Sequence, residues 1–167
     1  LASSGVHSNG LTLARRVLLG DTDEAQKEAV HKYDDVLERT LGAELLEPTR
    51  IYVQPVLEMM KAGIDLKAMV HITGGGFSGN ISRILPPGVA ARIDRESWDA
   101  PAIFKLIQRT GNIASDEMYR VFNMGIGMVL IVPPNQVAQA ITALPEAIVI
   151  GRTVPWSGDG PRVRVYD

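Results

Sequence analysis

The stretch HITGGGFSGN, His71 to Asn80, gathers residue types that can do chemistry. Three consecutive glycines, Gly74, Gly75 and Gly76, allow successive backbone amides to converge on an anion, and a helix starting just after them adds its positive N-terminal end. Strand alternation upstream puts Val70 and Ile72 on one face and His71 and Thr73 on the other, so an imidazole and a hydroxyl point at the mouth of the loop. A second polar turn, His7-Ser8-Asn9, lies between Gly5 and Gly10 and has two readings: a cleft-facing wall, or a cap for the helix that follows.

The glycines themselves have three readings. Gly74, Gly76 and Gly79 spell G-x-G-x-x-G, and Asp94 stands where the ribose-binding carboxylate of a nicotinamide-dinucleotide site belongs. Against an oxidoreductase of that kind, the helix before Pro86 has room for only about eight residues, too few to run back along a strand. A phosphate cradle without a Walker lysine is the second reading, because no Gly-Lys-Ser/Thr follows the run. The third is structural: glycines that supply positive φ angles in a tight turn of a domain with no ligand of its own.

The elements that must position these residues follow from periodicity. Apolar spacing predicts a first helix over 10–19, with Ser8 or Asn9 as N-cap. The charged DTDEAQKEAVHKYDDVLERT predicts a surface helix or a partly mobile insertion, in which His31 is a solvated side chain. A short helical turn, a break at Pro48 and a helix ending at Gly63 come next, with Met59 and Met60 as core filler. LKAMVHIT reads as a strand, the glycine run opens a helix reaching Leu85, and VAARID is a second strand. PAIFKLIQRTGN, capped by Asp99, and SDEMYRVFNMG, capped by Ser115 and stopped by Gly125, read as helices. GMVLIVP, EAIVIGRTV and RVRVYD complete five strands, with NQVAQAITALP as a helix between the first two. Helices and strands interleaved in this way predict a single domain over 1–167, a sheet covered by helices, with α/β and α+β both open.

Composition narrows the function classes. The 167 residues, 46% hydrophobic and 22% charged, are those of one globular domain. A formal net charge of −2 and the lack of any basic block argue against nucleic acid as partner. Without cysteine there is no disulfide or thiolate site, which fits a cytoplasmic location. His7, His31 and His71 lack metal-ligand spacing, so no metal site is expected. No apolar run is long enough to span a membrane, and the opening residues do not form a signal peptide. Starting at Leu1 in a Ser/Gly/Asn cluster, the chain reads as a piece of something longer.

Four motifs in order, LASSGVHSNG, ELLEPTRIYV, HITGGG followed by N-I-x-R-x-L-P, and FNMGIGM, resemble the C-terminal domain of the phosphoribosylformylglycinamidine cyclo-ligases, also called aminoimidazole ribonucleotide synthetases. The resemblance runs from residue 1 to the last strand and leaves only residues 20–40 without a counterpart. It implies an α+β fold, a mixed sheet flanked by helices, in an ATP-dependent ligase of purine biosynthesis. That enzyme converts formylglycinamidine ribonucleotide to aminoimidazole ribonucleotide. It further implies an N-terminal domain that binds most of the ATP and magnesium and forms the homodimer, and which this chain lacks, so that the chain alone binds phosphate or substrate without catalysis. Carried onto this sequence, Gly74, Gly75 and Gly76 would offer amides to the substrate's 5'-phosphate (or to sulfate), with His71 and Thr73 on the same wall. His7, Ser8 and Asn9 would face them. Asn123 and Gly125 belong to a family motif, with a helix C-cap beside core methionines Met124 and Met128 as the alternative.

Overall fold

The structure, a computed structural model, describes residues 1–166; the last residue of the expected final strand, Asp167, lies outside them. Helix α1 (Leu11–Leu19) begins after Gly10, whose φ of 73° and lack of a side chain are both required, since a Cβ there would sit 2.3 Å from the Phe122 ring. Neither Ser8 nor Asn9 caps it: Gly10 holds the N-cap position with no side-chain bond. The left-handed turn aims Asn9 elsewhere.

Residues 20–40 form more than a surface helix. Helix α2 (Asp23–Ala29), capped by Thr22, buries no residue. It is followed by an antiparallel pair, β1 (Tyr33–Asp34) and β2 (Arg39–Thr40). The connection is held by Asp34 Oδ1, which accepts from the amides of Val36 and Leu37, and by Glu38 at φ 55°. Thr40 then caps α3 (Leu41–Leu45), and α4 (Val53–Lys61) buries Val56 and Met59. Met60, 54% exposed, is not core filler.

Strand β3 (Ala68–His71) leads through the glycine run into α5 (Gly76–Ile84) and then β4 (Val89–Asp94). Helices α6 (Ala102–Gly111) and α7 (Ser115–Val121) follow, then β5 (Met128–Ile131), α8 (Val137–Ala143), β6 (Gly151–Pro155) and β7 (Val163–Tyr166). Pro101, not Asp99, occupies the N-cap of α6, and Ala114, not Ser115, that of α7. Helix α7 stops at Val121, ahead of Asn123 and Gly125, so those two residues are not its cap.

The class is α+β, with the strands distributed over three small sheets. β3 pairs antiparallel with β5, matching His71 to Met128; β4 lies between antiparallel β6 and parallel β7; β1 and β2 stand apart. The two strands flanking the glycine run therefore belong to different sheets. A dinucleotide fold needs those strands parallel in one sheet around a crossover helix, so the G-x-G-x-x-G pattern is coincidental. Asp94 accepts from the Glu96 amide and caps a 3₁₀ turn.

Helix α5 packs on β3, β4, β7 and α7. Its Phe77 and Ile81, with Leu85 at its C-cap, join Ile72, Ile103, Phe104, Ile107, Met118, Phe122 and Ile126 in the main core. Full burial of each large side chain contributes about 1.5–3 kcal/mol. The far end of α5 is closed by Arg162, whose guanidinium donates to the carbonyls of Leu85 and Pro86 at 2.7 Å and of Ser82 at 3.4 Å. Among the described residues no helix is long and apolar enough to cross a membrane, and no group of three or more acidic, histidine or cysteine side chains is placed to hold a metal.

Candidate functional site: a glycine loop beside a histidine pair

Thr73 to Gly76 form a tight turn closed by the Gly76 amide, which donates to Thr73 O at 3.0 Å. Gly75 has φ 93° and Gly76 φ 57°. A Cβ on Gly76 would fall 1.8 Å from Tyr119 O, so α7 allows only glycine there, whereas at Gly75 only the backbone angle opposes a side chain. Gly74 and Gly75 are exposed. Among the described residues their amides have no acceptor, nor do those of Phe77 and Ser78 in the first turn of α5. Free donors thus collect at one helix end, but Gly76, expected as a third donor to an anion, spends its amide inside the turn.

Asn80 holds the loop from beneath. The residue is 2% exposed, and its Nδ2 donates to Thr73 O at 3.0 Å, Gly74 O at 3.3 Å and Gly76 O at 2.8 Å. Its Oδ1 accepts from Thr73 Oγ1 at 2.9 Å. Thr73 therefore turns its hydroxyl hydrogen into the loop's own support. Sequence reasoning missed Asn80, although a signal exists: it falls on the apolar stripe of α5 between Phe77 and Ile81, where an amide must find buried partners.

The second wall comes from the chain's opening turn. His7 sits at φ 58° and is 6% exposed. Its ring centroid lies 5.9 Å from that of His71 and 6.4 Å from Tyr52, while Tyr52 and His71 are 5.7 Å apart. This three-ring cluster needs Gly127, where a Cβ would be 1.9 Å from the Tyr52 hydroxyl and 3.0 Å from the His7 ring. His7 Nε2 accepts from the Ser4 amide at 3.0 Å and faces the Arg50 amide at 3.5 Å, so the neutral ring carries its hydrogen on Nδ1. His7 Nδ1 and His71 Nε2 are both buried without a hydrogen-bond partner. Burial, and secondarily the neighbouring His71, pulls the His7 pKa below its ordinary value. Tyr52, whose hydroxyl donates to Ala2 O at 2.8 Å, is pushed up to about 12 by burial. The cluster thus favours the neutral form of His7 and leaves one ring nitrogen on each histidine without a partner inside the fold.

Asn9 links the two walls. Its Oδ1 lies 3.6 Å from where a Cβ of Gly74 would be. The structure therefore unites His7 with His71, and Asn9 with the glycine loop, while Ser8 is simply exposed between them. Asn123, 2% exposed, holds the opening segment in place: Nδ2 donates to Gly5 O at 2.9 Å and Val6 O at 3.3 Å, and Oδ1 accepts from Ser3 Oγ and the Gly125 amide, each at 2.8 Å. Gly125, at φ 98°, has no room for a side chain against Pro101. These two residues support the wall without lining it. A groove of about 590 Å³, walled mainly by β5, α8 and residues 147–153, is apolar and includes none of the loop residues. We place the site by its free amides and ring nitrogens, because a volume without convergent polar groups offers no chemistry.

A family model described as AIR synthase related protein, C-terminal domain, matches residues 1–164. Among curated proteins, the phosphoribosylformylglycinamidine cyclo-ligase of Pseudothermotoga lettingae is 52% identical over 159 residues, covering 93% of this chain and 45% of the relative. That of Brevibacillus brevis is 51% identical over 146 residues, 87% of this chain and 41% of the relative. That of Bacillus cytotoxicus is 48% identical over 162 residues, 95% and 45% respectively. The chain spans less than half the length of these curated relatives. With matches running over nearly its whole length, the chain belongs to the family of AIR synthase related proteins, in their C-terminal domain.

Proposed function

We propose that this chain is the substrate-holding C-terminal part of an ATP-dependent cyclo-ligase of purine biosynthesis, the activity named for its relatives. The observation that carries the reading is the glycine loop: the unpaired amides of Gly74 and Gly75 at the start of α5, with Asn9 beside them, make a cradle for the 5'-phosphate of formylglycinamidine ribonucleotide. His7 and His71 stand on the adjoining wall. Residues 1–167 act as a single domain, its small sheets flanked by helices, and a further N-terminal domain supplies most of the ATP and magnesium contacts and the homodimer interface. The complete enzyme works in the cytoplasm.

In the reaction, the formyl-derived amide oxygen takes the terminal phosphoryl group of ATP and ADP leaves. The ring-closing nitrogen then attacks the activated carbon, and phosphate departs with that oxygen. The part of this chain is to bind and orient. Fixing the phosphate end of the substrate turns a floppy chain into one whose reacting nitrogen and carbon are held together, which is worth several kcal/mol of barrier. Because the ATP and magnesium contacts are assigned mostly to the N-terminal domain, the chain alone is not expected to transfer a phosphoryl group.

Calorimetry with inorganic phosphate tests the reading. The chain should bind it weakly, and Gly75→Val, which strains a backbone at φ 93°, should abolish binding while circular dichroism stays native. Unchanged affinity in a folded Gly75→Val refutes the cradle, and aminoimidazole ribonucleotide made by the purified chain alone refutes the division of labour.

A further inference from the structure

We propose that Asn80 is the positioning residue of the glycine loop: its side chain draws the loop's carbonyls inward and so aims the amides of Gly74 and Gly75 outward at a tetrahedral oxyanion. The inference rests on the cradle reading above and extends it to a residue that touches no ligand.

The argument is one of peptide geometry. In a trans peptide, the C=O of one residue and the N–H of the next point in opposite directions. The carbonyl of Thr73 shares a peptide with the Gly74 amide, and that of Gly74 with the Gly75 amide. Asn80 Nδ2 lies 3.0 Å and 3.3 Å from those two oxygens, beneath the loop, so both amides must face away from it. The third oxygen it holds, Gly76 O at 2.8 Å, turns the Phe77 amide by the same rule. The Thr73–Gly74 peptide is also held by the Gly76 amide at Thr73 O, but among the described residues Asn80 is the one donor to Gly74 O, and without it the Gly74–Gly75 peptide is free to rotate. An anchor with two N–H hydrogens and one acceptor oxygen is what an asparagine offers. Its acceptor is taken by Thr73 Oγ1 at 2.9 Å, which fixes which end of the amide faces the carbonyls. Leucine of similar volume would fit the apolar stripe but leave Gly74 O without its donor and the Gly75 amide unaimed.

Asn80→Asp separates positioning from mere packing. The introduced carboxylate keeps the shape but meets loop carbonyls with like partial charge, and those peptides are expected to turn over. Sulfate is the probe, because its charge is constant over the working range. At pH 8, sulfate affinity read from the Gly74 and Gly75 amide resonances should fall about tenfold or more, with circular dichroism native. On acidification the carboxyl gains a proton, can donate once more, and the ratio of wild-type to variant affinity should narrow. His7 and His71 stand on the neighbouring wall in both proteins, whereas Arg83, whose Nη1 is 3.5 Å from Asn80 Oδ1, would face the introduced carboxylate and favour its charged form, moving the narrowing to lower pH.

A folded Asn80→Asp that binds sulfate as tightly as wild type, or a ratio that stays flat with pH, overturns the proposal. If this variant fails to fold, Thr73→Val removes only the hydroxyl bond to Oδ1, and its sulfate affinity should drop about threefold; no drop overturns the proposal equally. If wild type itself shows no sulfate response at Gly74 and Gly75, the cradle reading has failed and the proposal falls with it. A response in wild type that is unchanged in the variants sinks the proposal alone.

Discussion

Asn123 Nδ2 donates to the carbonyl oxygen of Gly5 at 2.9 Å, joining two residues 118 apart in sequence. With the bond from Ser3 Oγ and the Gly125 amide to its Oδ1, this amide ties the opening segment to the loop after α7 and so holds His7 against His71. The site is built from long-range pairing, and its stability depends on a few buried amides.

Asn123→Ala should therefore be costly. It strands the carbonyls of Gly5 and Val6 and the Gly125 amide in a buried place, a loss of about 2–4 kcal/mol in urea unfolding. A loss below about 0.5 kcal/mol would show that solvent satisfies those groups and that the opening segment is not anchored there.

The glycines of α5 should divide by position. Gly76→Ala drives a Cβ to 1.8 Å from Tyr119 O and should unfold the domain or shift α7. Gly79→Ala meets nothing within 4 Å in a helix interior and should stabilise by about 0.5–1 kcal/mol. Thermal melts of the pair check this, and equal effects of either sign contradict the packing of α5 on α7.

His7 gives stability a pH dependence. Its pKa is lowered in the fold, so the unfolded chain takes the proton first. The contribution is fully present above the unfolded value near 6.5 and is lost as pH falls below it, at up to about 1.4 kcal/mol per pH unit for one proton. His7→Asn, which tolerates the left-handed backbone, removes the effect. Unfolding free energies of both proteins between pH 7.5 and 5 should diverge with that slope; parallel curves would mean His7 is protonated without cost in the fold.

Much of the scaffold is readable in the chain itself. The β3–glycine–α5 unit follows from alternation, three glycines and an apolar stripe, and the shortness of α5 already counts against a dinucleotide site; the pairing of β3 and β4 in separate sheets supplies the topological reason. Other parts resist reading for physical causes. The β1–β2 turn places Glu38, not glycine or asparagine, in the left-handed region, so it carries no turn signature. Ser8 and Asn9 are good caps by type, but Gly10 bends the chain before the helix and frees Asn9 for Gly74. Tyr52 and Asn80 join the site through contacts across the fold or beneath a loop, which local periodicity does not encode. Gly76 looks the same as its two neighbours in sequence, and only the turn hydrogen bond to Thr73 O removes its amide from the cradle.

The central claim is that the Gly74–Gly75 amides hold the phosphate end of a ribonucleotide. A nitrogen-15 amide titration of this chain with aminoimidazole ribonucleotide, and in parallel with the nucleoside lacking its phosphate, tests it most directly. The account predicts that the ribonucleotide moves the Gly74 and Gly75 resonances most, with Asn9 following, and that the nucleoside leaves them still. Shifts that are the same for both compounds, or that gather elsewhere while the loop stays silent, would contradict it.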